Sequence, residues 1–332
     1  MIRVAMLSRW HVHADDYAKQ IMKNDEAEIV AVWDEDSKRG KRWADEIGVD
    51  FEPDLEKLLS RTDIDAVVVN TPTSMHREVI VSAANKGKHI FTEKVMAPTV
   101  KECIEIKDAV ENGKVKFCIS FPQRTFPANL FAKRVVSEKL IGDITLLRIR
   151  NAHNGAIANW LPDYFYNAAL CGGGAMMDLG AHPMYLSRWL LGEPVSISSV
   201  FNSFTEKPVE DNAVSVIEFK NKAIGIVETG FVSTNSMPWL EIYGTQGVLI
   251  IGGPEDRVYI SSTREDVGTR WVDKDELPKA LPMPIEQWIA AITKGEHIEF
   301  GLNEGMELTQ LMEGAYASFN EGRKISFSTL LR

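Results

Sequence analysis

Asp178 and His182 lie four residues apart in the stretch Cys171-Gly172-Gly173-Gly174-Ala175-Met176-Met177-Asp178-Leu179-Gly180-Ala181-His182-Pro183-Met184-Tyr185. On one helix, that spacing puts a carboxylate and an imidazole on the same face. The carboxylate can fix the imidazole's tautomer, and the imidazole can then move a proton near neutral pH. The three glycines permit a tight turn and a close approach of backbone to a ligand. The competing structural reading makes Asp178 a helix cap and His182 a buried, satisfied polar residue. An apolar pattern through Leu186, Trp189, Leu190 and Leu191 continues the helix, and Gly192 ends it.

Other chemistry-bearing residues follow short apolar runs in the first third of the chain. One run ends at Asp34, where an acid can accept hydrogen bonds from ribose hydroxyls and repel a 2′-phosphate. Another ends in Asn70-Thr71-Pro72-Thr73-Ser74-Met75-His76, and a third in Glu93-Lys94. A lysine there is either a surface charge or a catalytic one. Lys38 and Arg39 lie close enough in sequence to soften that repulsion of a 2′-phosphate, but they are expected in the helix after Asp34, facing solvent.

The elements that must position these residues are legible as an alternation. Apolar runs at 4–7, 29–33, 66–70, 89–92 and 116–120 are separated by amphipathic helical patterns at 14–23, 38–47, 76–86 and 100–112. Buried strands alternating with helices predict a doubly wound parallel sheet. Its ligands sit beyond the carboxyl ends of the strands, where the residues above lie. The first turn departs from the usual dinucleotide fingerprint. Ser8-Arg9-Trp10-His11-Val12-His13 contains no glycine, although G-x-G-x-x-G normally lets backbone touch the pyrophosphate. It can still offer helix N-terminal amides, the Ser8 hydroxyl and the Arg9 charge to a phosphate. Trp10 or His11 must then turn away or stack beside the cofactor.

After residue 120 the texture changes. A two-proline linker, 121–127, leads into a helix at 128–140. Strand-like runs follow at 144–150, 197–201, 213–219, 223–231, 239–243, 248–251 and 258–261, and helical patterns return at 284–293 and 304–320. This predicts an α+β domain with a large, mostly antiparallel open sheet over 122–332, after an α/β Rossmann domain over 1–121. The chain has 332 residues, 45% hydrophobic and 25% charged, which is enough for two packed cores. A net charge of −10 with no basic block argues against nucleic acid and anionic membrane. The start of the chain lacks a signal-peptide layout and no long apolar run appears, so a cytoplasmic protein is expected. Cys103, Cys118 and Cys171 are too dispersed for a zinc site or a disulfide framework, and no metal is expected.

An ordered set of these motifs resembles the glucose-fructose oxidoreductase / inositol dehydrogenase / rhizopine-catabolism (Gfo/Idh/MocA) family. The set comprises Asp34 at a strand end, Asn70-Thr71-Pro72 with His76, and Gly87-Lys88-His89-Ile90-Phe91-Thr92-Glu93-Lys94. It continues with Arg124-Thr125-Phe126-Pro127, Ile141-Gly142-Asp143-Ile144, Gly173-Gly174 with Asp178 and His182, and Tyr243-Gly244-Thr245 followed by Gly247. The resemblance implies NAD as cofactor, with NADP possible, and hydride transfer at a carbinol carbon of a sugar, sugar acid or cyclitol. It implies an active site between the domains and a homo-oligomer, dimer or tetramer, through the second domain's sheet. Lys94, Asp178 and His182 match the family's catalytic positions. Cofactor contacts are expected from Ser8, Arg9, Trp10, His11, His13, Asp34, Asn70, Thr71, Pro72, His76, Glu93 and Lys94. Val95 stands where the family's lysine is followed by proline. His153, Asn154, Trp160, Tyr164 and Tyr166 precede or flank the Gly-rich element. They read mainly as packing residues, with Trp160 or Tyr164 as a conceivable sugar platform. Two other readings fit the same residues: redox-neutral oxidation and elimination at a glycoside, and a non-catalytic sugar sensor that has lost the cofactor.

Overall fold

A computed structural model describes residues 1–330. These fall into two compact units, 1–121 with 282–309, and 122–281 with the residues from 310 onward.

The first unit alternates as its hydrophobic pattern dictates: β1 (Ile2–Leu7), α1 (Ala14–Met22), β2 (Ala27–Trp33), α2 (Ser37–Ile47), β3 (Asp50–Phe51), α3 (Leu55–Leu59), β4 (Ala66–Val69), α4 (His76–Asn85), β5 (His89–Thr92), α5 (Val100–Gly113) and β6 (Phe117–Ile119). The six strands are all parallel, in the order β3-β2-β1-β4-β5-β6. Strand order reverses between β1 and β4, so the chain leaves those two strands in opposite directions and opens a crevice at their carboxyl ends. β4, Ala66-Val67-Val68-Val69, is buried along its whole length, as a strand covered on both faces must be.

One division of the units falls after residue 121, and the block that follows it is not continuous. Residues 282–309 return to the first unit. The reason is packing. Trp288, on α10 (Pro284–Thr293), is fully buried with its ring 5.8 Å from that of Phe91. The Ile119 amide donates to Phe300 O at 2.9 Å, which satisfies edge strand β6.

In the second unit, α6 (Pro127–Ser137) and β7 (Ile144–Ala152) precede three helical pieces, α7 (Ala168–Cys171), α8 (Ala175–Asp178) and α9 (Ala181–Leu191). Then come β8 (Pro194–Asn202), β9 (Asn212–Phe219), β10 (Ile224–Gly230), β11 (Trp239–Gly244), β12 (Gly247–Gly252), β13 (Arg257–Ser262) and β14 (Thr269–Val272). After α10 come α11 (Leu302–Glu321), inside which the division of units falls, and β15 (Ile325–Ser326). The nine strands run β14-β13-β12-β11-β7-β10-β9-β8-β15, antiparallel except for the parallel β7–β10 pair. Along β9, exposed and buried residues alternate without exception, the signature of a sheet covered on one face. α9 packs on the covered face against β7 and β10.

Candidate active site

The crevice of the first unit has two sides. On the side of β1 and β2, the glycine-free turn makes its bend at Ser8, which adopts φ +74°. This is the left-handed conformation that glycine adopts more readily. Ser8 is fully buried, and its Oγ accepts the Trp10 amide at 3.0 Å. The hydroxyl oxygen thereby fastens the turn. The Arg9 guanidinium is held by Asp15 at 2.9 Å and Glu46 at 2.6 Å, over the Trp43 ring, so its charge is already paired. Trp10 is 5% exposed and His11 7%, so both are turned inward.

Asp34 is the hub of this side. Its Oδ2 accepts the Arg9 amide at 2.8 Å and Arg39 Nε at 2.9 Å. Its Oδ1 accepts the Asp36 amide at 2.8 Å and Arg39 Nη2 at 2.6 Å. Arg39 lies on α2 as expected, but its guanidinium folds back onto Asp34 and Glu35 and does not simply face solvent. Gly40 allows this, because a Cβ there would come within 2.5 Å of Asp34 Cβ. The helix is thus close enough for a two-pronged arginine–carboxylate pair.

The side of β4 and β5 is built differently. Asn70 and Thr71 follow β4 and are buried, yet Asn70 Oδ1, Asn70 Nδ2 and Thr71 Oγ1 have no hydrogen-bond partner among the described residues. Buried polar atoms are normally satisfied, so orphans at a strand end mark a place for a polar ligand. Pro72 is buried and starts a single 3₁₀ turn, Thr73–Met75, that leads into α4. His76 Nδ1 lies 2.8 Å from Val95 O and Nε2 3.1 Å from Thr71 O. Burial lowers the His76 pKa, and a neutral ring donates to only one of these two carbonyls; in either tautomer His76 ties the segment after β4 to the segment after β5. The Lys94–Val95 peptide it holds is cis.

Glu93 and Lys94 are 1% and 5% exposed. Glu93 Oε2 accepts the Lys94 amide at 2.9 Å, and Oε1 accepts from the Tyr17 hydroxyl and lies 2.8 Å from His13 Nδ1. Burial pushes the Glu93 pKa up, but His11, His13 and Lys94 outweigh it and hold the carboxyl well below its usual range. Burial and the Glu93 charge push Tyr17 well above the ordinary phenol range, so it remains a donor.

In the second unit, Asp178 and His182 do not share one regular helix. Asp178 ends α8 and His182 lies in the first turn of α9, across Leu179 and Gly180. The junction is pinned to the sheet, since Asn151 Nδ2 on β7 donates to Leu179 O at 3.2 Å. His182 Nδ1 is 3.0 Å from Tyr185 Oη, and that oxygen accepts the Gln123 amide at 3.2 Å. Tyr185 went unassigned in the sequence, although its i+3 spacing from His182 signals the contact. Burial lowers the His153 pKa, and the Asp178 charge opposes that shift. His153 stacks on Phe231 at 5.1 Å and meets Trp160 at 4.5 Å. Trp160 is 54% exposed, with Nε1 donating to Asn154 Oδ1 at 3.2 Å. Tyr164 and Tyr166 belong to the apolar cluster beneath it.

The glycines of the central stretch serve packing within the protein. A Cβ on Gly173 would fall 1.8 Å from Tyr316 Oη, and one on Gly174 would fall 2.2 Å from Glu210 O. Glu210 Oε1 accepts the amides of Gly174 and Met176 at 2.9 and 3.0 Å and the Tyr316 hydroxyl at 2.6 Å. No local spacing marks Glu210 for this task.

Two family profiles match the chain: "Oxidoreductase family, NAD-binding Rossmann fold" over residues 10–121, and "GFO/IDH/MocA C-terminal domain" over residues 130–250. The chain belongs to the Gfo/Idh/MocA oxidoreductase family. It is 28% identical over 326 residues to the inositol 2-dehydrogenase of Rhizobium meliloti (strain 1021), covering 94% of this chain and 95% of that one. It is 32% identical over 234 residues to the scyllo-inositol 2-dehydrogenase (NAD(+)) of Bacillus subtilis (strain 168), covering 68% and 66%. A solved levoglucosan dehydrogenase, in complex with NADH and levoglucosan, superposes with a TM-score of 0.83 at 23% identity over 98% of both chains. As a Gfo/Idh/MocA protein the chain is an NAD-binding oxidoreductase, and the orphaned Asn70 and Thr71 side chains fit a dinucleotide in the crevice. The family match favours this over the elimination and sensor readings. Among the described residues, no helix is long and apolar enough to cross a membrane.

Proposed function

We propose that the protein is an NAD-dependent dehydrogenase of a sugar or cyclitol. The observation that carries this is the near full-length match to an inositol 2-dehydrogenase. The second unit supports it with Asp178, His182 and the exposed face of Trp160, a carboxylate, a base and an aromatic platform suited to a polyhydroxylated ring. Bound NAD supplies the hydride acceptor. Lys94 hydrogen-bonds the reacting oxygen and stabilises negative charge developing there. His182 takes the hydroxyl proton on Nε2. That requires the tautomer in which Nδ1–H donates to Tyr185 Oη, so Tyr185 is the group that presents the base. Asp178 accepts a hydrogen bond from a neighbouring substrate hydroxyl. Asn70 and Thr71 satisfy their orphaned groups on the cofactor.

Spectrophotometric assay of NADH formation, with inositol isomers, levoglucosan and simple aldoses as substrates, tests the reading. Turnover of one of these, lost in His182→Ala, is expected. Absence of turnover with the whole set, in protein that binds NAD, would overturn the substrate class.

We further propose that copies associate through the uncovered face of the nine-stranded sheet. That face presents Val200, Val214, Val216, Ile224, Tyr243 and Trp271, each at least 37% exposed. At its centre Arg148 and Arg150 pair with Glu228. Sedimentation velocity should show a dimer or tetramer, shifted towards monomer by Val214→Asp with Val216→Asp. A monomeric wild type would refute this.

A further inference from the structure

Three metal-ligating side chains from two segments far apart in the chain meet beside the crevice. His11 comes from the turn after β1, His13 from the residue preceding α1, and Glu93 from the end of β5. Glu93 Oε1 is 2.8 Å from His13 Nδ1 and 3.6 Å from His11 Nδ1, and one ligand atom from each residue lies within 4.8 Å of the others. A tetrahedral ion bound at about 2.0–2.1 Å separates its ligand atoms by roughly 3.3 Å. The two shorter edges bracket that value. The third closes by rotation of the His13 ring, whose side chain is 42% exposed and has room to turn.

We propose that His11 Nδ1, His13 Nδ1 and a Glu93 carboxylate oxygen form a divalent transition-metal site, suited to Zn²⁺, Co²⁺ or Fe²⁺. Two imidazoles and one carboxylate exclude a preference for Mg²⁺ or Ca²⁺, which take oxygen ligands. The His13 amide donates to His11 Nδ1 at 3.3 Å, so that nitrogen is the unprotonated one, as a ligand must be, and an ion would replace this long bond at its lone pair. The carboxylate is held from behind by Tyr17, which is 2.7 Å from Ser120 Oγ, and by the Lys94 amide. Such outer contacts orient ligands and raise affinity. Three protein ligands leave a fourth position open to water or to an anionic oxygen. An ion here would lie beside the N-terminus of α1, in the turn that lacks the glycine fingerprint. It would supply positive charge where that fingerprint normally supplies amides. The sequence shows only the His11-x-His13 pair of this centre, because Glu93 is 80 residues from His13.

The test is Co²⁺ titration of EDTA-treated full-length protein, read by visible absorption, with Zn²⁺ calorimetry in parallel and no cofactor present. One equivalent should bind with the intense bands of a tetrahedral Co²⁺ site. His13→Ala should weaken binding at least tenfold, and His11→Ala and Glu93→Gln likewise. His13 is partly exposed, so its variant tests the site even if Glu93→Gln fails to fold. Failure of the wild type to bind either ion would overturn the proposal and leave a hydrogen-bonded cluster. Stoichiometric binding that survives both histidine substitutions would overturn it by placing the ion elsewhere. Neither outcome bears on the dehydrogenase reading, which the NADH assay tests separately.

Discussion

The two sides of the first unit's crevice handle polar groups in opposite ways. At the ends of β1 and β2 the protein satisfies itself: Asp34 accepts from two amides and two prongs of Arg39, and Arg9 is spent on Asp15 and Glu46. At the end of β4, buried Asn70 and Thr71 carry orphaned atoms. A saturated side costs nothing to leave empty, but a ligand must displace its partners. An unsatisfied side costs stability until a ligand arrives, and then returns that cost as affinity. On this contrast, we expect dinucleotide affinity to come mainly from the β4 side and the β1–β2 side to tune which dinucleotide is held.

The largest expected effect is on the β5 end. Lys94→Ala should lower kcat by about 10²–10³, the scale of losing one stabiliser of developing charge, with NAD affinity little changed. Stopped-flow turnover with fluorescence titration of NADH checks both halves. A variant with near wild-type kcat would remove Lys94 from the chemistry.

Asn70→Leu sharpens the contrast directly. Removing orphaned polar atoms from a buried site should raise the melting temperature of the cofactor-free protein, by relief of about 1–3 kcal/mol. The same change should weaken NAD binding by roughly ten- to a hundredfold. Calorimetric melting and titration measure the two. A lower melting temperature with unchanged binding would break the comparison.

Arg39→Ala uncovers Asp34. The bare carboxylate should then favour a ribose diol and repel a 2′-phosphate, raising the NAD-over-NADP preference by about tenfold, the scale of one charge-assisted hydrogen bond. An unchanged ratio would show that Arg39 swings clear of the cofactor in the wild type.

The smallest effect is expected from Ser8→Gly. The left-handed backbone becomes unstrained, but the hydroxyl bond to the Trp10 amide is lost and the unfolded chain gains freedom. The net change should stay within about 1 kcal/mol in chemical denaturation. A loss of several kcal/mol would mean that the turn depends on the Ser8 hydroxyl far more than one bond suggests.

The alternation of runs and helices, and the strand-end positions of Asp34, Asn70 and Glu93-Lys94, were legible because periodicity and strand ends are local properties. Tyr185 was legible in principle from its spacing to His182 on one helix. The helix pattern put Arg39 on α2, but whether it faces solvent or Asp34 depends on how closely Gly40 lets that helix approach. The glycines at 173 and 174 invited a ligand-approach reading for the same reason. The bodies that fill their missing Cβ positions, Tyr316 and Glu210, come from more than 140 and about 36 residues away, respectively.

By itself the sequence determined what each segment becomes: which runs are buried on both faces, which alternate, and which polar residues fall at their ends. These follow from hydrophobic period and turn chemistry within a dozen residues. Only the tertiary structure decided which polar groups are already satisfied. It paired Arg39 with Asp34, returned Trp288 to the side of Phe91, left the Asn70 side chain unpaired among the described residues, and brought His11 and His13 to Glu93. Hydrogen-bond satisfaction belongs to the assembled neighbours of an atom, and those neighbours come from segments far apart in the chain.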